Sequence, residues 1–130
     1  MLGDTDFFID LMRGEPRAVA KRRELDEKGI PLAATAMTLH ELALGATLYV
    51  RPEEERARIH RVLRGIPVRS YDAQAASLGG ELEGGLRLLK QIVDRADVMN
   101  GAVARLRKEP VLTRNLKDYT RIPGVTVETY

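Results

Sequence analysis

Apolar residues along the chain fall alternately into short runs and helix-period stripes, punctuated by glycine and proline. Met1–Thr5 reads as a very short strand followed at once by the apolar turn FFIDLM, a helix that Gly14 ends. Pro16 opens a second helix, PRAVAKRRELDEKG, which Gly29 stops and whose polar face carries Arg17, Lys21, Arg22 and Arg23. Pro31–Thr35 is a short buried strand, and Met37–Tyr49 is a helix. Pro52–Gly65 has proline first, glutamates in its first turn and arginines toward its end, a charge order matched to the helix dipole; His60 within it is a surface residue. Pro67–Tyr71 is a third strand, and Asp72 caps a helix. The glycine pairs 79–80 and 84–85 each weaken that helix by about 1 kcal/mol per glycine, so it is expected to end near Gly84, leaving LRLLKQIV (86–93) without an element. Ala96–Lys108 is an amphipathic helix with Val98, Met99, Ala102, Val103 and Leu106 toward the core. Asn100, Gly101 and Ala104 lie on an adjoining face that leaves room beside Asp97. Pro110–Thr113 is a strand, 114–121 a loop or short helix, and Val125–Glu128 a last strand. Strand followed by helix, repeated, predicts an α/β fold on a mainly parallel sheet of roughly five strands with five or six helices.

The most unusual stretch is Ile30–Val50, IPLAATAMTLHELALGATLYV, where Glu41 is the only formal charge. Its helix is apolar nearly all round, the pattern of a buried helix, and the neighbours of Glu41 one turn away are Met37, Thr38, Leu44 and Gly45. Glu41 is therefore expected to point into protein, where an ionised carboxylate needs a cation or several donors.

Composition narrows the chemistry. One domain spanning 1–130 is expected, large enough to bury a core unaided. With no cysteine there is no disulfide framework, thiol nucleophile or thiolate-bound metal, and a reducing cytoplasm is the expected compartment. His40 and His60 are the only imidazoles. Pro31, His40 and Glu41 interrupt the single long apolar stretch, and the N-terminus lacks a signal-peptide pattern, so no membrane association is expected. A net charge of +2 with a pI near 9.1 allows a basic face, while an aromatic content of 5% without tryptophan makes a base-stacking platform a poor fit, leaving recognition mainly electrostatic.

Asp4 sits where a strand meets a helix, a position equally suited to capping and to a site; Asp6 and Asp10 read as solvent-facing or supporting. Asp4 after a strand, Asp97 at a helix start and Asp118 beyond a strand occupy the places where parallel sheets gather ligands, and Glu41 joins them from its helix. Clustered carboxylates without histidine or cysteine suit a hard divalent ion, Mg²⁺ or Mn²⁺. Arg13, Arg17, Arg114 and Lys117 flank these motifs and are candidates for phosphate contacts, with ordinary surface charge the competing reading.

The segments DTDFFIDLMRG (4–14), TLHELALGA (38–46), ADVMNGAVA (96–104) and TRNLKDYTRIPGV (113–125) together resemble, in order and spacing, the successive motifs of PIN-domain ribonucleases, the VapC-type toxin branch in particular. The resemblance implies a three-layer α/β/α fold and a Mg²⁺- or Mn²⁺-dependent RNA endonuclease holding one or two ions. It also implies a homodimer and a VapB-like antitoxin that blocks the site. Carried over by motif, Asp4, Glu41, Asp97 and Asp118 are the catalytic, metal-holding acids, with Thr5, Thr113 and Asn115 supporting them. Asp97 or Asp118, acting through a water, would also assist deprotonation. Asn100 stands where the family has a branched apolar residue, the N-terminal strand is short with Gly3 directly before Asp4, and 86–93 is longer than the family's turn. The rival reading from another class is a non-catalytic nucleic-acid- or protein-binding module on the same fold.

Overall fold

The computed structural model describes all 130 residues. In chain order the elements are β1 (Leu2–Gly3), α1 (Thr5–Arg13), α2 (Pro16–Glu27), β2 (Ala34–Thr35), α3 (Ala36–Leu48), α4 (Pro52–Val62), β3 (Val68–Arg69), α5 (Ala73–Leu88), α6 (Arg95–Arg107), β4 (Val111–Leu112), α7 (Leu116–Tyr119) and β5 (Val127–Glu128). All strand pairings are parallel. Three strands pair in the order β1-β4-β5 and two as β2-β3, and a single parallel bridge between Leu2 and Ala33 joins the ladders, so the expected five-stranded sheet is present but split. The split has a local cause: the chain leaves β1 at Asp4 to cap α1, too soon for a longer pairing with β2.

Alternation across the pleat sends neighbouring residues to opposite faces. Leu2, Ala33 and Val111 pack with α5, α6, Tyr119 and Ile122 on one side. Met1, Leu32, Ala34 and Leu112 pack with Phe7, Phe8, Leu25, Leu42 and Ile59 on the other. The result is three layers, with α1–α4 on one face and α5–α6 on the other. Gly3 is required by this packing, since a Cβ there would stand 2.8 Å from the Phe8 ring.

Three expectations are corrected. Helix α5 does not end near Gly84 but runs to Leu88, because Ala75, Gly79, Leu82 and Leu86 form a buried stripe against α6 that outweighs the glycine cost. Gly79 is itself needed, since a Cβ there would lie 2.3 Å from the Tyr71 hydroxyl. Helix α3 is not buried all round: Thr38, Leu42 and Ala46 face inward, while Leu44 and Leu48 are 53% and 77% exposed. On α6 the supposedly open face is closed, because Asn100, Gly101 and Ala104 are buried, with Ile122 and Val125 against Gly101, whereas Leu106 turns outward.

Candidate functional site

The four acids reach one end of the sheet from four elements. Asp4 follows β1, Glu41 lies on α3 directly after β2, Asp118 lies on α7 after β4, and Asp97 sits in the first turn of α6. Asp4 caps α1 and also belongs to this cluster. One oxygen accepts from the Phe7 amide at 2.9 Å, and the other accepts from the Thr113 hydroxyl. Thr113 in turn accepts the Asn115 amide at 2.8 Å. The cap of α6 is Asp94, not Asp97, so the Asp97 carboxylate is free of structural duty at the helix start.

Asn115 bridges the second half of the site. Its side-chain nitrogen donates to Asp97 at 2.9 Å and to Asp118 at 3.0 Å, while its oxygen caps α7 by accepting the Asp118 amide at 3.4 Å. The Thr5 hydroxyl donates to Glu41. Thr5, Thr113 and Asn115 thus all touch the acids. Glu41 is half-buried beside this hydroxyl and has no cation, which corrects the expectation of a fully inward carboxylate.

None of the four carboxylates takes part in an ion pair. Burial, reinforced by Asp6 and Asp97, pushes Asp4 up to about 7 despite its two donors. Burial also raises Asp97 to about 6, with Asp94, Asp118 and Glu41 adding repulsion. Asp4 and Asp97 thus lie within one another's field, and Asp97 within that of Asp118 and Glu41.

Two residues beneath the site carried no functional assignment from sequence. Tyr119 is fully buried, and its phenol is held far above its ordinary range by burial and by the nearby Asp97 and Asp4 carboxylates, so it stays protonated. Asn100 donates to the Tyr119 oxygen at 3.2 Å and accepts from the Thr35 hydroxyl. The polar residue that departed from the family pattern thus has every buried partner it needs. An apolar signal, the tyrosine directly after Asp118, was visible in the sequence; its partners were not.

The four basic candidates separate. Arg114 is turned away from the acids to pair with buried Asp10 at 3.0 Å, and Tyr130 completes that pocket by donating to Asp10 at 2.8 Å. Arg17 lies with Lys21 beside the C-terminal residues Thr129 and Tyr130, in a groove that none of the four acids lines. Arg13 shares a groove with Glu41, and Lys117 shares a cleft with Asp118. Asp10 is buried and structural, while Asp6 is exposed.

Four oxygen-donor side chains with no compensating charge, two of them holding protons more tightly than usual, form the donor chemistry of a hard divalent ion. No three of them close on one point, which fits an ion held through one or two carboxylates with water filling the remainder.

Comparison with known proteins shows the family. The chain is 29% identical over 127 residues to the tRNA(fMet)-specific endonuclease VapC of Salmonella typhimurium, covering 98% of this chain and 95% of that protein. It is 27% identical over 122 residues to ribonuclease VapC19 of Mycobacterium tuberculosis, covering 94% of each. Its fold superposes on DNA-bound VapBC from Salmonella typhimurium with a TM-score of 0.89 at 28% identity, over 98% of this chain and 96% of that one. VapBC2 from Rickettsia felis, bound to a promoter DNA fragment, gives 0.90 at 21% over 99% and 97%, a likeness of fold. The PIN-domain family model matches residues 1–124, and with four acids at the end of a parallel sheet the chain belongs to the PIN-domain family.

Proposed function

We propose that the protein is a VapC-type endoribonuclease that hydrolyses RNA phosphodiester bonds with Mg²⁺ or Mn²⁺ and is neutralised by a VapB-like antitoxin. The observation that carries this reading is the convergence of Asp4, Glu41, Asp97 and Asp118 without a basic partner, together with full-length similarity to named VapC ribonucleases.

Of Asp4, Asp97, Asp118 and Glu41, one or two would hold the ion directly and the others through water, and the ion when bound supplies an activated water and stabilises charge on the leaving oxygen. Thr113 and Asn115 fix the directions of three carboxylates before substrate arrives, which lowers the cost of ordering them in the reaction. Tyr119, kept protonated, adds no further negative charge beside Asp97 and Asp4. Asp4 and Asp97 must lose their protons to act as ligands, so loading is stronger above neutral pH than at pH 5.

The antitoxin assignment is supported by the toxin–antitoxin complexes among the structural relatives and by a groove between α1, α3 and α4. That groove has a volume of 250 Å³, a floor including Ile9, Met12 and Leu42, and Glu41 on its rim. A homodimer is supported by the exposed apolar end of α3, where Leu44, Leu48 and Val50 stand in solvent. No helix is long and apolar enough to cross a membrane; we assign the cytoplasm as the compartment from the absence of cysteine.

The test is cleavage of labelled RNA. Activity should vanish in chelator and return with Mg²⁺ or Mn²⁺. RNA bound but never cut under any metal condition would instead establish the non-catalytic binding module.

A further inference from the structure

We propose that the cleft between the α5–α6 loop and α7 is an RNA-strand subsite, in which Lys90, Lys117 and Arg121 hold a backbone phosphate next to the scissile one and the loop receives the adjoining base. The proposal rests on the endoribonuclease reading and names where one side of the substrate lies.

The cleft has a volume of 650 Å³ and opens directly from the acidic site, because Asp118 is part of its wall. Six basic side chains stand at this end of the molecule, and their pairing sorts them. Glu83 takes both Arg87, at 2.6 Å, and Arg95, at 3.0 Å, and Arg114 belongs to Asp10. Lys90, Lys117 and Arg121 all line the cleft and pair with no carboxylate. The two acids in the wall are already engaged: Asp94 caps α6 and Asp118 accepts from Asn115. Three unpaired cations therefore stand beside uncompensated carboxylates that would otherwise repel a polyanion.

The backbone adds a second observation. Lys90 adopts φ 56°, the left-handed conformation that glycine occupies without strain. A lysine there keeps a cation at the mouth of the cleft at the expense of local backbone comfort. Arg121 donates to the Ile92 carbonyl at 3.5 Å, which leans the loop toward α7.

On the far side of Lys90 the cleft continues into a 310 Å³ cup. Its apolar wall is Leu86, Ile92 and Val93, its polar wall includes Glu83, neutralised by Arg87 and Arg95, and Gln91 lines it with amide groups able to meet a base edge. Ile92 is 90% exposed, a large apolar surface with nothing covering it in the monomer. Phosphate-binding cations leading to an apolar cup match a single-stranded nucleotide whose base is turned out of the strand.

The chain contains its own control. Lys108, at the end of α6 opposite the site, is also left-handed, with φ 54°, and also unpaired. Lys90→Gly and Lys108→Gly remove the same charge and relieve the same backbone conformation, so both should melt at or above the parent temperature. RNA affinity is measured by fluorescence anisotropy with an unstructured labelled oligonucleotide across a salt series, in an Asp97→Asn background. The combination of Lys90→Gly, Lys117→Ala and Arg121→Ala should flatten the slope of log affinity against log salt by about 0.7, the loss of one neutralised phosphate, and Lys90→Gly alone by a measurable part of that. Lys108→Gly should leave it unchanged. Ile92→Ser should weaken binding severalfold at constant slope. Equal slopes for the two glycine variants, in a protein that still cuts RNA, would overturn the subsite alone. Loss of RNA binding and of cleavage by the otherwise unmodified protein would overturn the nuclease reading with it. An unchanged salt slope in the triple variant accompanied by weaker antitoxin binding would assign the cleft to a protein partner and refute the proposal.

Discussion

Asp4→Asn should stabilise the metal-free protein at pH 8 although it alters a helix cap and a buried hydrogen bond. Asp4 is held at about 7 against an ordinary 3.8, about three pH units, which corresponds to about 4 kcal/mol between its two protonation states. The native state therefore binds the proton more tightly than the unfolded chain. Its contribution to stability is full below pH 4, declines between about 4 and 7, and is lost above that window. An asparagine oxygen can still accept the Phe7 amide now 2.9 Å from Asp4, preserving the cap. Its amide nitrogen would face Thr113, whose hydroxyl already accepts Asn115 and would lose its own acceptor, at a cost of about 1 kcal/mol. The net gain at pH 8 is about 2–3 kcal/mol, or about 10 °C in melting temperature. Urea titrations in chelator at pH 4.5 and pH 8 would measure it. The advantage of the variant should be near zero or reversed at the lower pH and largest at the higher. An Asp4→Asn protein less stable than wild type at pH 8 would mean that a partner compensates the carboxylate and that the acids do not form an ion-free repulsive site.

Asn115→Ala removes the donor shared by Asp97 and Asp118, so Mn²⁺ affinity measured by calorimetry should fall about 10–100-fold, as for other residues that orient ligands; unchanged affinity at pH 8 would show the bridge to be incidental. Arg114→Met strands Asp10, which is 6% exposed, but Arg114 itself is half in solvent and Tyr130 remains as a donor. The loss of stability should therefore be about 1–3 kcal/mol by denaturant titration with no change in RNA affinity; weaker RNA binding at full stability would restore Arg114 as a phosphate contact. Leu48→Glu places a charge on the exposed end of α3 and should shift the protein from dimer to monomer by light scattering at micromolar concentration; an unaltered dimer would move the interface elsewhere.

Much of the architecture is legible because local signals agree with the tertiary result. Pro16 and Pro52 start helices, Gly14 closes α1 at φ 71°, Asp72 caps α5 at 2.9 Å, and every strand lies within its predicted segment. Asp4, Asp97 and Asp118 are legible because each follows a recognisable strand or lies at a helix start, and Glu41 because it is the only formal charge in an apolar stretch. What escaped was decided by contacts between distant residues. The extension of α5 through Gly84 and Gly85 depends on its stripe against α6, which local propensity does not contain. The Asp10–Arg114–Tyr130 pocket joins residues more than a hundred positions apart and made Arg114 look like a substrate contact. On α6 an ordinary helical stripe left Asn100 outside the core, because its burial depends on Thr35 and Tyr119 rather than on its own period. The apolar surround of α3 is the pattern of a buried helix, but a helix can also be apolar at an exposed surface, as α3 is at Leu48.

The central claim is that one cluster of acids cuts RNA, and the most direct measurement compares wild type with Asp97→Asn on end-labelled RNA in saturating Mn²⁺. Asp97 caps nothing and pairs with no cation, so the exchange removes a ligand without a structural debt. The variant should melt at or above the wild-type temperature while its cleavage rate falls about 10²–10⁴-fold. A variant that folds normally and cleaves at the wild-type rate would place the chemistry elsewhere in the molecule.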